Sequence, residues 1–209
     1  MFKIILSLIL SIYLFAFEKI ESKILYKNFI DKNISKGLTG YVIQNNKIIA
    51  KVVSLGSKKV KYLPFKKLEN KGLATPQLIV KRGDKIIFGL YNFRGLIIAP
   101  NQQQYLKIKN SYPNMEWINS DIFATYFENK PTKENFQQFC NTYNVGIIDF
   151  LLDKEYIVDC QSFTILQTKN IKKEKYKKPF FCSYDKFPTS LFSTTIKNWI
   201  EYYKKLIKG

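Results

Sequence analysis

Four carboxylates, Asp149, Asp153, Glu155 and Asp159, fall close together near one predicted hairpin. Paired carboxyls hydrolyse glycosides when one keeps its proton beside an ionised partner. Acids near a hairpin tip are more simply solvated, so no catalytic residue is assigned and the chain is expected not to be an enzyme. Histidine is absent from the whole sequence. That removes Ser-His-Asp and Cys-His catalysis and any zinc site built on imidazole. Three cysteines remain, Cys140, Cys160 and Cys182, without the CxxC spacing of a metal site. An odd number permits at most one internal bridge, and three buried thiols are the alternative. No metal and no cofactor are expected.

Other segments carry binding chemistry beside a plainer reading. Arg82-Gly83-Asp84 is the tripeptide that integrins read on exposed loops, and Gly-Asp is also ordinary turn chemistry before a strand. Lys172-Lys173-Glu174-Lys175-Tyr176-Lys177-Lys178 reads as a solvated linker or a protein-docking patch. The last helix carries Lys204, Lys205 and Lys208, the candidate binding residues, opposite an apolar stripe of Ile196, Trp199, Ile200, Tyr203, Leu206 and Ile207. Such a stripe docks on its own domain or lies on an anionic membrane surface.

The elements that must position these residues follow from periodicity. Tyr41-Val42-Ile43 and Ile48 to Val53 flank Asn45-Asn46, a pair that tolerates positive φ, so a hairpin is predicted. Strands over 60–63 and 85–88 complete a small antiparallel sheet, with a loop over 66–77 between them. Leu96-Ile97-Ile98-Ala99 is wholly apolar, the mark of a strand buried on both faces. A helix over 102–110, with Tyr105 and Ile108 inward, and a return strand over 115–118 make a β-α-β unit. Asp121 is predicted to cap a short helix carrying Ile122, Phe123, Tyr126 and Phe127. Pro131-Thr132 starts a clearer helix whose stripe is Phe136, Phe139, Cys140 and Tyr143. A hairpin over 146–160 and a third strand over 162–167 follow, then a connector over 170–179 and an amphipathic helix over 194–208.

The fold class is therefore α+β. It comprises a β-rich, antiparallel first half over 17–89, a mixed β-α-β and hairpin half over 90–168, and a lysine-rich connector with the terminal helix over 169–209. Residues 1–16 read as a secretory signal: Lys3, an apolar run from Ile4 to Phe15, and Ala16 at the exit. That run is shorter than the roughly 20 apolar residues a spanning helix needs. The chain is expected to be exported, to periplasm or outer cell surface. Its net charge of +18 suits anionic partners, but only Arg82 and Arg94 are arginines. Phosphate reading favours the arginine fork, so no nucleic-acid partner is expected.

Several blocks, in order, resemble the N-terminal domain of the plasminogen-binding surface proteins of the PgbA type. They are Leu90-Tyr91-Asn92, Leu96-Ile97-Ile98-Ala99-Pro100-Asn101, Trp117 with Asp121-Ile122-Phe123-Ala124, Phe136 to Cys140, Asn144-Val145-Gly146, and Tyr156-Ile157-Val158-Asp159-Cys160 with Ser162-Phe163. The resemblance implies binding of host plasminogen, whose kringle modules grip a lysine ammonium together with a nearby carboxylate, ideally those of a C-terminal lysine. Lys208 is the first choice, although Gly209 follows it where the family's long charged tail ends in lysine. Because both blocks belong to the resemblance, it also implies a Cys140–Cys160 disulfide with Cys182 free. The rival function is a structural or scaffold protein of a periplasmic envelope assembly, whose terminal helix packs on an envelope partner.

Overall fold

The computed structural model describes residues 17–63, 79–127, 130–171, 196 and 198–208. The predicted signal, the loop over 66–77, the lysine run from 172 to 178, Cys182 and Gly209 lie outside the described residues. The chain divides into two compact units between Leu90 and Tyr91.

The first unit holds β1 (Ile20–Tyr26), β2 (Phe29–Ile30), β3 (Thr39–Gln44), β4 (Lys47–Gly56), β5 (Lys59–Leu63) and β6 (Lys85–Phe88). The expected small antiparallel sheet is in fact a closed barrel, in the order β1-β2-β5-β4-β3-β6. The closing strands are β1 and β2, which no prediction covered: β1 pairs with β6 from Ile20↔Phe88 to Lys23↔Lys85. Asn45 and Asn46 take φ of 50° and 59°, the geometry that matches the twist of a hairpin. The interior is filled by Ile24, Ile30, Val42, Val52, Val60, Ile86 and Phe88. Closure brings β3 so near β6 that a Cβ on Gly40 would stand 2.7 Å from the Phe88 ring, so only glycine fits.

The second unit holds β7 (Arg94–Ile98), α1 (Gln102–Ser111), β8 (Glu116–Ile118), α2 (Ser120–Ala124), α3 (Lys133–Tyr143), β9 (Ile147–Leu151), β10 (Glu155–Asp159), β11 (Ile165–Lys169) and α4 (Trp199–Lys208). Its sheet runs β11-β10-β9-β7-β8, with β7 parallel to both β8 and β9 and the β9-β10-β11 edge antiparallel. Alternation sends Leu96, Ile98, Ile148, Phe150, Tyr156 and Val158 to one face, under Phe136, Phe139 and Cys140 of α3 and Tyr203 and Ile207 of α4. Ile97 and Leu151 face the other way, under Tyr105 and Ile108 of α1.

Three boundaries differ from expectation, the first being the terminal helix, which starts at Trp199 behind an Asn198 cap and leaves Ile196 outside it. Asn119, not Asp121, caps α2: its side chain accepts from the Asp121 N–H, and Tyr126 and Phe127 follow the helix. The third strand starts at Ile165, not Ser162, because Asp159 accepts from the Gln161 and Ser162 amides and ties those residues into a turn. Among the described residues no helix is long and apolar enough to cross a membrane.

Candidate functional site

The candidate lysines stand on α4, and the core positions that helix. Asn198 accepts from the Glu201 N–H at the helix start, as an N-terminal cap does. The Tyr202 hydroxyl donates to the Pro131 carbonyl at 2.6 Å. Tyr203 is fully buried, its ring centroid 5.5 Å from that of Phe150 and 6.4 Å from that of Phe136. The apolar stripe thus packs within its own unit. Its Tyr203 hydroxyl is left without a hydrogen-bond partner there, and burial pushes that phenol well above its ordinary pKa.

The opposite side carries Glu201, Lys204, Lys205 and Lys208, which line a shallow cavity of about 470 Å³. Spacings of three, four and seven put all four on one helical face. The three lysines are not equivalent. Lys204 Nζ lies 3.2 Å from Asp153 Oδ2 and 3.3 Å from Glu201 Oε1. The hydrogen bond it donates to Asp153, then the one it donates to Glu201, raise its pKa. Burial pushes the Asp153 carboxyl up, but hydrogen bonds from Tyr156 and Lys204 outweigh it and leave Asp153 below the usual carboxylate range. Lys204 therefore fastens α4 to the β9–β10 turn. Lys205 and Lys208 are exposed, and neither forms an ion pair among the described residues.

The expectation that the hairpin acids are solvated is wrong for three of the four. Asp149, Glu155 and Asp159 are buried, and only Asp153 is partly exposed. Asp159 closes the turn described above. Glu155 accepts from the Tyr112 hydroxyl at 2.7 Å and pairs with Lys169 at 3.1 Å. Lys169 Nζ also donates to the Tyr112 hydroxyl. Asp149 is wholly inside, and neither of its oxygens has a hydrogen-bond partner. Burial, then the Glu155 charge, push its carboxyl well above the usual range. Glycoside chemistry needs a raised carboxyl that the substrate can reach, and Asp149 is sealed beneath α1. The signal for this burial was the run from Val145 to Leu152, apolar on both sides of Asp149.

Cys140 of α3 and Cys160, just after β10, form a disulfide with Cα atoms 6.1 Å apart and a separation of 20 positions in sequence. In Arg82-Gly83-Asp84 the glycine takes φ of 89° in a turn. The Asp84 carboxylate accepts from the Lys81 amide at 2.6 Å and from Gln44 Nε2 at 3.3 Å. That aspartate is spent on the turn, as the plainer reading holds.

The family model described as plasminogen-binding protein pgbA N-terminal matches residues 14–207. Two relatives, each named plasminogen-binding protein PgbA, come from Helicobacter pylori strains J99 and 26695, and each is 29% identical over 181 residues. The alignment takes in 82% of this chain and 40% of each relative, so the chain spans well under half the length of the curated relatives it matches. No solved structure matches.

Proposed function

Because the chain belongs to the plasminogen-binding protein pgbA N-terminal family, we propose that it is an exported, non-enzymatic protein that binds plasminogen through the exposed lysines of α4. Lys205 and Lys208 carry this reading: both are exposed on a helix whose other side is fixed in the core. Glu201 shares their face one turn away, so an ammonium and a carboxylate stand together as a kringle requires. The constellation is an internal counterpart of a C-terminal lysine. Lys204 has a structural part, because its ammonium is held by Asp153.

Meeting plasminogen requires export to the outer surface. The apolar run from Ile4 to Phe15, behind Lys3 and ending at Ala16, supports a leader removed before Phe17. The names of the relatives, which are those of binding proteins, support the absence of an enzymatic role.

The test compares plasminogen affinity of the wild-type chain, the Lys205→Ala/Lys208→Ala double variant and Lys204→Ala. A gripped lysine behaves as a binding hot spot, so the double variant loses about tenfold or more. Lys204→Ala keeps most of the affinity. Equal affinity for wild type and double variant overturns the assignment to α4.

A further inference from the structure

We infer that Asp149 is a proton-held latch: carrying its proton it keeps α1 closed over the sheet, and losing that proton opens this face. The inference is independent of plasminogen binding. Asp149 stands in β9 directly between Ile97 of β7 and Ile157 of β10. Strand alternation turns it to the same side as Leu151, the face that α1 covers with Tyr105 and Ile108.

None of the groups about it donates to its oxygens, both of which lack a hydrogen-bond partner. From β10 and β11 come Glu155 and Lys169, and that ammonium is held by Glu155 and by the hydroxyl of Tyr112, which follows α1. From β8 comes Trp117, whose indole N–H is buried without a partner. From α1 comes Tyr105, itself pushed up by burial and then by Asp121. An ionised carboxylate without a donor is among the costliest groups to bury, whereas the acid form is a small polar group. Glu155 adds a like charge nearby.

The sign follows from linkage. Below the ordinary carboxyl value of 3.8, closed and open states both hold the proton and pH has no effect. As pH rises beyond it, the open state sheds its proton first and gains. Closure weakens until the raised value of the closed state is passed. The element that yields is α1. The other face is fastened by α3, α4 and the Cys140–Cys160 bridge, whereas α1 buries only Gln104, Tyr105 and Ile108.

Hydrogen exchange of the intact chain, corrected for intrinsic rates and read from mildly acidic to mildly alkaline solution, tests this. Protection of α1 relative to α3 should fall as pH rises, by up to about tenfold per pH unit for one linked proton. Asp149→Asn, which cannot ionise, should hold α1 closed throughout. A wild-type α1 whose relative protection ignores pH overturns the latch, as does a wild-type slope in Asp149→Asn. Should that variant fail to fold, infrared spectroscopy of the wild type decides. A protonated carboxyl band at neutral pH, lost as α1 opens, supports the latch, and its absence there overturns it.

Discussion

The Lys204 ammonium and the Asp153 carboxylate, 3.2 Å apart, join the terminal helix to the β9–β10 turn. The pair is partly solvated, with side chains 23% and 37% exposed, so its loss in Lys204→Ala should cost only about 0.5 to 1 kcal/mol. Both folded-state shifts favour the charged forms. The Asp153 share is present above the ordinary carboxylate pKa and lost as pH falls through the depressed value. The Lys204 share is present below the ordinary lysine pKa and lost as pH rises through the raised one. Denaturant midpoints of wild type and Lys204→Ala should therefore converge at both extremes of pH. A constant gap would contradict the pairing.

Cys140 and Cys160 close a loop across the main core of the second unit. By the chain-entropy model a loop of this length is worth about 3 kcal/mol. Paired Cys140→Ser and Cys160→Ser substitutions should lower stability by about that amount, and reductant should then have no further effect. A mass map of unreduced peptides that joins either residue to Cys182 would contradict the pairing.

Tyr203 buries a hydroxyl that has no hydrogen-bond partner. Tyr203→Phe keeps the ring contacts with Phe136 and Phe150 and removes only the cost of that group. Stability should hold or rise by about 1 kcal/mol, against the usual direction of core substitutions. A loss beyond about 1 kcal/mol would mean that the hydroxyl has a partner after all.

Gly40 lies against Phe88 where the barrel closes. Gly40→Ala pushes a methyl group into that ring and should cost about 1 to 3 kcal/mol, as overpacking does. Thermal unfolding read by the near-ultraviolet signal checks it. An unchanged midpoint would contradict the close approach of β3 and β6.

Much of the second unit was legible because its signals are local. The apolar run Leu96 to Ala99, the Thr132 cap and the stripe of Phe136, Phe139 and Cys140 each declare one element. Barrel closure was not, because β1 alternates faintly: Ile20, Ser22 and Ile24 run along one side with Glu21 and Lys23 between them, and Ser22 masks the apolar side. It is buried all the same, its hydroxyl donating to Asp31 at 2.6 Å. The lysines of α4 could be grouped by spacing. That Lys204 is engaged and Lys205 and Lys208 are exposed depends on Asp153, a residue some fifty positions away, and no local pattern encodes it. The buried acids failed for the same reason, since a carboxylate in a strand reads as solvated until the helix that covers it is known.

The central claim is that plasminogen grips individual lysines of α4, and displacement by a free lysine analogue tests it most directly. Bound plasminogen should be released by the analogue at constant ionic strength and should resist a moderate rise in salt, because an enclosed ammonium is screened far less than exposed charges. Release by salt alone, with no effect of the analogue, would contradict the claim and leave only the general attraction of a lysine-dense surface.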